Sequence, residues 1–321
     1  MAKYLITGAA GFIGSHLSES LIALGHDVLG IDCFTDYYSR EQKMLNKNQI
    51  SDKGVEFLHL DLAEDDLDFA LEDVEGIYHL AAQPGISATT PFDAYLKNNL
   101  IGTHRLLDAA KKSTSLHGFI NISTSSVYGA DATGDENTEP KPTSYYGVTK
   151  LAAEQLVLAA AREEDFPACS MRLFSVYGPR ERPEKLYPRL IASILEDKAF
   201  PLYEGSEEHL RSYTYVGDIV DGLVSLLDKV DKIKGEIFNI GTDVAITTGE
   251  GIRIVEEILD KRAKIEPKPK RPGDQLKTQA HIEKARQILN YNPITTAREG
   301  LEKEVAWYRD HILGKVDLWK K

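Results

Sequence analysis

Cysteine is scarce in this chain, which has only Cys33 and Cys169 among its 321 residues. So few thiols argue against a disulfide framework, and neither they nor the histidines have the spacing of metal ligands. The sequence also has no apolar run approaching the roughly 18 residues that a membrane-spanning helix requires. We therefore predict a protein with no structural metal, no disulfide and no membrane partner.

The chain also has no excess of positive charge. It contains 38 Lys and Arg residues and 50 Asp and Glu residues, and its net charge is −12. This balance argues against an extended nucleic-acid-binding surface, although a local arginine cluster can still bind an anionic substrate. The first residues, MAKYLITGAAGFIG, have no basic segment and no small-residue cleavage site. They are typical of a first strand and not of a signal peptide, so we expect a cytoplasmic protein.

Short apolar runs alternate with segments of helical spacing through the first half of the chain. They predict strands at 3–7, 27–32, 55–61, 76–82, 117–123 and 168–174, and long helices at 12–25, 92–111 and 144–164. This alternation predicts an α/β fold with a Rossmann-type, doubly wound parallel sheet in a first domain, 1–175. The polar, loop-rich remainder predicts a smaller mixed α/β domain, 176–321, except for a strand near 236–241 that returns to the sheet.

A glycine-rich turn, GAAGFIG at residues 8–14, lies between the first predicted strand and the first predicted helix. That is the context of a dinucleotide site, because small residues let the backbone approach a pyrophosphate and the helix N-terminus favours negative charge. Asp32 ends the second strand 18 residues after Gly14. A carboxylate there accepts hydrogen bonds from ribose hydroxyls and repels a 2′-phosphate, which favours NAD over NADP. Asp61 ends the third strand, where a contact with adenine would fit.

Three hydroxyl side chains, Thr124, Ser125 and Ser126, follow the fifth predicted strand, and a Tyr–Lys pair follows in the next helix. Tyr146 and Lys150 lie one helical turn apart and so share a helix face. An ammonium near a phenol stabilises the phenolate and lowers the pKa of the phenol from its usual value near 10. The pair can then serve as a general base near neutral pH.

Motifs along nearly the whole chain resemble those of the extended short-chain dehydrogenases/reductases, in the NAD-dependent sugar epimerase/dehydratase family. These motifs are GAAGFIG, HLDL, HLAAQPG, STSSVYG, YYGVTK, RLFSVYGPRERP and RSYTYVGDI. Within the family the chain most resembles the UDP-glucuronate 4-epimerases, which are similar at GIDCFTDYYS and tend to have a small hydroxyl residue at the position of Ser175. The resemblance implies tightly bound NAD, a UDP-sugar substrate and a homodimer, with the helices at 92–111 and 144–164 as candidates for the interface.

The resemblance also implies which residues bind the two ligands. For NAD they are Gly8, Gly11, Phe12, Ile13, Gly14, Asp32, Asp61, Leu62, Ala81, Ala82, Gln83, Asn99, Tyr146 and Lys150. For the sugar nucleotide they are Ser87, Thr124, Ser125, Ser126, Ser175, Arg182, Arg211 and Arg271. Arginine suits this second role because its planar fork binds phosphate or carboxylate through two hydrogen bonds.

The family's mechanism implies that Tyr146 takes the proton of the sugar 4-hydroxyl while hydride leaves C4 for NAD, with Thr124 on the same oxygen. The 4-keto sugar then turns, and the returning hydride inverts C4. Related 4,6-dehydratases have Asp and Glu at the positions of Ser125 and Ser126, and related decarboxylases have Glu at the second. Serine is no acid–base match for these groups but donates hydrogen bonds to a carboxylate. The pattern therefore favours conversion of UDP-glucuronate to UDP-galacturonate.

Three alternatives stay open at this point. A 4-epimerase of neutral UDP-sugars, such as UDP-glucose and UDP-galactose or their N-acetyl forms, needs no contact with a carboxylate. A UDP-glucuronate decarboxylase or nucleotide-sugar dehydratase is disfavoured by the serines at 125 and 126. A non-catalytic sensor could bind a dinucleotide on the same fold, but such a protein would not need the Tyr–Lys pair.

Overall fold

The structure, a computed structural model, describes residues 1–87, 89–227, 229–270 and 277–319. In the first half of the chain, strands alternate with helices. The strands are β1 Lys3–Thr7, β2 Asp27–Asp32, β3 Glu56–His59, β4 Gly76–His79, β5 Gly118–Thr124 and β6 Ala168–Leu173. The helices are α1 Phe12–Ala23, α2 Arg40–Ser51, α3 Phe92–Tyr95, α4 Gly102–Ala110 and α5 Tyr145–Glu163. A π turn, Leu96–Ile101, joins α3 to α4, and a 3₁₀ turn, Ser125–Tyr128, follows β5.

In the described residues of the second half, short strands alternate with further helices. The strands are β7 Val176–Tyr177, β8 Ala199–Tyr203, β9 Leu210–Arg211, β10 Thr214–Tyr215, β11 Ile237–Ile240, β12 Ile246–Thr247, β13 Lys264–Lys268 and β14 Lys277–Thr278. The helices are α6 Leu186–Leu195, α7 Val216–Val224, α8 Val230–Ile233, α9 Thr248–Leu259, α10 Glu283–Leu289 and α11 Ala297–Trp307. No helix in the described residues is long and apolar enough to cross a membrane.

Seven parallel strands form the main sheet in the order β11-β6-β5-β4-β1-β2-β3. The chain order reverses beside β1, which pairs with β2 on one side and β4 on the other. In such a sheet, ligands bind in the crevice that opens at this reversal, outside the carboxyl ends of the strands. The arrangement confirms the predicted Rossmann-type fold and places the glycine turn, which follows β1, at this crevice.

The returning strand, β11, joins the main sheet beside β6, in parallel register from Ile237 opposite Ser170 to Ile240 opposite Leu173. Helix α7 packs against α1, and α10 packs against β11. Residues after 175 therefore contribute both to the sheet layer and to a separate hydrophobic cluster, which includes Leu190, Val255 and Leu301. The boundary between residues 175 and 176 stays a prediction.

Helix α2 was not expected from the sequence, because its apolar residues have no helical periodicity. Its buried side chains are mostly polar and include Gln42, Lys43 and Asn46. The Asn46 amide donates to Ala10 O at 3.0 Å, and the Gln42 amide donates to the carbonyl oxygen of Arg180 at 3.0 Å. This helix is therefore stabilised by hydrogen bonds to the glycine turn and to the loop before α6, contacts that exist only in the folded chain.

Phe238, fully buried on β11, allows a test of how far the second half stabilises the sheet. Replacing it with Ala should lower the free energy of unfolding by about 3–5 kcal/mol, because the cavity lies in the core. Phe69, whose side chain is 55% exposed, is the matched control, and its replacement with Ala should change stability little. Urea unfolding gives the free energy of unfolding of each variant. Equal effects would show that β11 is not integrated into the sheet.

Candidate active site

A cavity of about 540 Å³ runs along the carboxyl edge of the main sheet and is lined by residues from both halves of the chain. It contains most of the residues that the sequence assigned to two different ligands. The predicted cofactor residues that line it are Gly8, Gly11, Phe12, Ile13, Gly14, Asp32, Asp61, Leu62, Ala81, Ala82, Tyr146 and Lys150. The predicted substrate residues that line it are Thr124, Ser125, Ser126, Ser175, Arg182 and Arg211.

The glycine turn is packed too closely for side chains at two of its positions. Gly8 has φ +71°, in the left-handed region, and a Cβ there would lie 3.0 Å from Ala81 N. A Cβ on Gly14 would lie 2.3 Å from Gly8 O. Helix α1 begins within this stretch, at Phe12, with Gly11 as an N-cap that supplies no capping side chain. The turn and the helix N-terminus therefore present backbone to the cavity, as a pyrophosphate site requires.

Asp32, at the end of β2, is held by backbone amides on both oxygens. Oδ2 accepts from Ala10 N at 3.2 Å, and Oδ1 accepts from Phe34 N at 2.8 Å. Burial raises the pKa of Asp32, and the ammonium of Lys43 opposes this shift. Lys43 is itself held by the Thr35 carbonyl oxygen at 2.5 Å. The result is a fixed acidic group beside the cavity, where a ribose-binding carboxylate was predicted.

Asp61, which also lines the cavity, is engaged on both oxygens as well. Oδ2 forms an ion pair with Lys97 Nζ at 3.0 Å, and Oδ1 accepts from Ala63 N at 2.9 Å. Leu62 is buried beside it. These contacts fix the segment after β3 as one wall of the cavity.

Among the predicted site residues that the structure describes, three do not line the cavity. Asn99, buried in the π turn, accepts from Gln83 N at 2.7 Å and donates to Thr149 Oγ1 at 3.0 Å. It therefore ties the loop after β4 to α5, and Gln83 takes part through its backbone. The hydroxyl of Ser87 accepts a hydrogen bond from Thr89 N at 3.2 Å within its own loop. These residues therefore hold the loop after β4 in place and do not contact the cavity themselves.

The hydroxyl row lies where β5 ends and the 3₁₀ turn begins. Thr124 is the N-cap of that turn, and its Oγ1 accepts from Ser126 N at 3.1 Å. The Thr124 hydroxyl also acts on the phenol of Tyr146, where it opposes the rise in the pKa of that group. Because the amide occupies an acceptor position of this hydroxyl, its proton is free to point at the phenol oxygen. Ser125 and Ser126 follow it along the cavity wall.

Tyr146 and Lys150 lie in the first two turns of α5, which begins after the N-cap Ser144. Burial lowers the pKa of Lys150 to about 8. Burial also raises the pKa of Tyr146, and the hydrogen bond from Thr124 and the charge of Arg182 only oppose this shift. Burial thus penalises the phenolate more than the neighbouring groups stabilise it, and the expectation that Lys150 lowers the pKa of the phenol stays a prediction.

Cationic groups line the cavity near the N-terminus of α6. Arg182, Lys185 and Arg211 meet there, together with the carboxyl group of Glu181. Burial raises the pKa of Glu181 to about 8 and lowers the pKa of Lys185, and the attraction between the two groups opposes both shifts. The third predicted arginine, Arg271, lies outside the described residues.

Lys43, Glu181 and Lys185 line the cavity but were not identified from the sequence. Glu181 and Lys185 flank the predicted Arg182 in PRERPEK, and this density of charge was the signal that could have found them. Lys43 gave no such signal, because it lies in a helix whose sequence is mostly polar and has no apolar periodicity. Among the described residues, no group of three or more His, Cys, Asp or Glu side chains could hold a metal ion.

Residues 4–241 match the model of a protein family described as the NAD dependent epimerase/dehydratase family. The chain belongs to this family. A Bacillus subtilis family member named uncharacterized UDP-glucose epimerase YtcB is 38% identical, over 95% of this chain and 97% of its own length. UDP-glucuronate 4-epimerase 6 of Arabidopsis thaliana is 33% identical, over 95% of this chain and 71% of its own.

Among solved structures, the present chain is similar to UDP-glucuronic acid 4-epimerase from Bacillus cereus, crystallised with UDP-glucuronic acid and NAD. The TM-score is 0.91 at 37% identity, and the match covers 96% of this chain and 99% of the other. The epimerase/dehydratase family is NAD-dependent, and the chain has a site of matching chemistry. The glycine turn suits the pyrophosphate, and the Asp32 carboxylate suits a ribose without a 2′-phosphate.

Replacing Gly14 with Ala should weaken NAD binding by tenfold or more, a loss of about 1.4 kcal/mol, because the new Cβ forces the turn open. Gly249, in the first turn of α9, is the control, since a Cβ there meets nothing closer than 3.3 Å. The affinity for NAD can be measured by calorimetry on protein stripped of NAD. The amount of NAD that stays bound through purification gives a second measure. Full retention of NAD by the Gly14 variant would contradict this placement of the pyrophosphate.

Proposed function

We propose that this chain inverts C4 of a UDP-sugar and that its main substrate pair is UDP-glucuronate and UDP-galacturonate. The observation that carries the proposal is that Tyr146 and Thr124 line the same cavity and act on each other, with two serines and no carboxylate on the turn that follows Thr124. The similarity to UDP-glucuronate 4-epimerases along nearly the whole chain supports the same assignment.

The residues suggest how proton transfer at C4 proceeds. Tyr146 accepts the proton of the sugar 4-hydroxyl, and Thr124 donates a hydrogen bond to the same substrate oxygen or to the phenolate. The protonated Lys150, one turn along α5, stabilises the phenolate. Bound NAD supplies the hydride acceptor and donor, so that C4 is oxidised and then reduced with no net redox change. Tyr146 returns its proton to the oxygen once the keto sugar has presented its other face.

The cationic end of the cavity suits the diphosphate that links the sugar to its nucleoside. Arg182, Lys185 and Arg211 lie there, and hydrogen bonds from charged donors to phosphate oxygens are among the strongest in proteins. Binding at the diphosphate alone leaves the sugar free to turn about that linkage. This freedom is what epimerisation at C4 requires, because both faces of the ring must meet the same cofactor.

The serines bear on the fate of the keto intermediate. A 4-keto glucuronate is a β-keto acid, which loses CO₂ when its carboxylate bond lies perpendicular to the ketone plane and its charge is poorly solvated. Ser125 and Ser126 can donate hydrogen bonds that hold the carboxylate solvated and out of this orientation. Each charge-assisted bond is worth roughly 1.5–3 kcal/mol. Two such bonds are enough to favour reduction over decarboxylation.

A 4-epimerase of UDP-glucose is the second candidate, favoured by the name of the Bacillus subtilis relative. Decarboxylase and dehydratase activities remain disfavoured because the turn after β5 carries serines instead of Asp or Glu. The Tyr–Lys pair, placed in the cavity, likewise disfavours a non-catalytic sensor.

We also propose a homodimer formed through the outer faces of the helices between 92 and 163. Phe92, Ile101, Tyr145 and Val148 are exposed there, and the rings of Phe92 and Tyr145 pack edge to face at 5.2 Å. Exposed apolar side chains grouped in this way are typical of protein interfaces. The cytoplasmic location and the two-domain division remain predictions from the sequence.

Proton NMR of the sugar anomeric signals can follow conversion of UDP-glucuronate and of UDP-glucose separately. We expect conversion of UDP-glucuronate to exceed that of UDP-glucose, and Tyr146→Phe to abolish both while NAD stays bound. Tyr145→Phe, one residue earlier and 58% exposed, is the matched control and should retain turnover. Unaltered turnover in Tyr146→Phe would contradict the role of the phenol, and preference for UDP-glucose would select the second candidate.

Replacing Ser125 and Ser126 with Ala should increase the UDP-pentose formed per UDP-glucuronate converted. Loss of one charge-assisted bond of about 1.5 kcal/mol already predicts a rise of roughly tenfold. The backbone amide of residue 126 still donates to Thr124 Oγ1 in this variant, so the turn should persist. Turnover of UDP-glucose, which has no carboxylate, is the control. If the product ratio stays at the wild-type value, the serines do not restrain the carboxylate.

A further inference from the structure

Helix α5 has three polar side chains in succession on its inner face. Tyr146 and Lys150 line the cavity, and Glu154 follows one turn later, with none of its surface exposed. Residues four apart share a helix face, so the carboxylate of Glu154 lies on the side of Lys150 away from Tyr146. The proposed chemistry at C4 does not itself use Glu154.

Glu154 is held by a fork of hydrogen bonds from Arg172 on β6. Arg172 Nη2 lies 2.6 Å from Glu154 Oε1, and Arg172 Nε lies 3.0 Å from Oε2. Ser170 also donates to Oε2, at 3.3 Å. Both members of the ion pair are buried, and this two-point geometry suits a buried carboxylate because it leaves neither oxygen without a donor.

The third nitrogen of the guanidinium reaches the turn that bears the hydroxyl row. Arg172 Nη1 donates to Tyr128 Oη at 3.0 Å, and that hydroxyl donates to Asn239 Oδ1 at 2.8 Å. The guanidinium also lies over the Tyr128 ring, 5.0 Å from its centroid. A buried polar network thus connects α5, β6, β11 and the end of the 3₁₀ turn, and its members have defined partners.

The groups that face Lys150 explain why the Glu154 carboxylate affects the protonation of Lys150. Burial lowers the pKa of Lys150 to about 8, and the charge of Glu154 acts to raise it. His79, on the neighbouring β4, is neutral because burial lowers its pKa to about 3, and its ring is hydrogen-bonded to Thr7 and Thr103. Tyr146, on the other side, is an uncharged phenol until it gives up its proton. Glu154 therefore supplies the negative charge that opposes deprotonation of Lys150.

We propose that Glu154 is a positioning residue whose carboxylate, fixed by Arg172, keeps the ammonium of Lys150 charged in a buried site. The importance of that charge for turnover rests on the proposed function. The charge itself does not, and it can be measured in the NAD-bound protein without any substrate.

The test is the titration of Lys150 by NMR in protein labelled with ¹³C,¹⁵N-lysine, with the signal assigned by its loss in Lys150→Met. Glu154→Gln keeps the size of the side chain and an acceptor for Arg172 but removes the charge. We expect it to lower the titration midpoint of Lys150 by about one pH unit or more. Tyr128→Phe is the matched control: it removes a hydrogen bond from the same buried network but no charge near Lys150, so the midpoint should stay in place.

An unchanged midpoint in Glu154→Gln, or an equal fall in Tyr128→Phe, would overturn the inference. If Glu154→Gln does not fold, the double variant Glu154→Gln/Arg172→Met replaces the whole ion pair and leaves no unpaired buried charge. It should lower the midpoint by less than Glu154→Gln, because the positive charge of Arg172 is lost as well, and an unchanged value would count against the inference.

Turnover gives a second readout. The fall of kcat at high pH should move to lower pH by the same amount as the NMR midpoint in Glu154→Gln, while KM stays constant. If wild-type protein converts no UDP-sugar, the proposed function fails, but the titration still decides the role of Glu154. If wild-type protein converts UDP-glucuronate and the fall of kcat does not move with the midpoint, the link from Glu154 to the reaction fails alone.

Discussion

The close approach of α5 to the turn after β5 is the contact on which the site depends. Gly147, directly after Tyr146, has no side chain, and a Cβ there would lie 2.7 Å from Ser126 O. This missing side chain lets the first turn of the helix lie against the backbone of the hydroxyl turn. The phenol of Tyr146 can then meet the Thr124 hydroxyl, and Lys150 follows one turn deeper. Without that approach the two motifs would remain separate features of a Rossmann-type sheet.

Burial gives the groups along this contact their unusual acid–base properties. It lowers the pKa of Lys150 to about 8 and raises the pKa of Tyr146, so for each group burial shifts the protonation balance toward the neutral form. Neighbouring groups oppose each shift: Thr124 and Arg182 act on the phenol, and Glu154 acts on the ammonium. The acid–base behaviour of the pair is therefore set by the opposition between burial and these neighbouring groups.

Charge in the cavity is local and does not follow the composition of the chain. The protein as a whole has a net charge of −12, yet Arg182, Lys185 and Arg211 meet at one end of the cavity. Net charge constrains encounters with extended polyanions, whereas a compact diphosphate responds to the few groups within a Debye length of about 10 Å. An acidic protein can therefore present a cationic pocket for a nucleotide sugar.

Sequence periodicity was a good guide to the main sheet. Strands β1, β2 and β11 have nearly the predicted bounds, because parallel strands buried on both faces are short, continuous apolar runs. It failed at α2, whose buried side chains are polar and bond to distant backbone, and it gave no sign of the π turn around Asn99. Periodicity reports apolar burial only, so elements that are held by polar contacts escape it.

The sequence by itself determined the chemistry of this protein: a glycine turn after a strand, an acid at the next strand end, three hydroxyls and a Tyr–Lys pair. Such local patterns carry their own physical meaning, since each depends on neighbours a few residues away. Only the tertiary structure decided that Lys43, Glu181 and Lys185 share the cavity, that Asn99 supports it from behind, and that Glu154 pairs with Arg172. These placements join residues far apart in the chain, and their energies arise from burial and long-range contacts that no local pattern records.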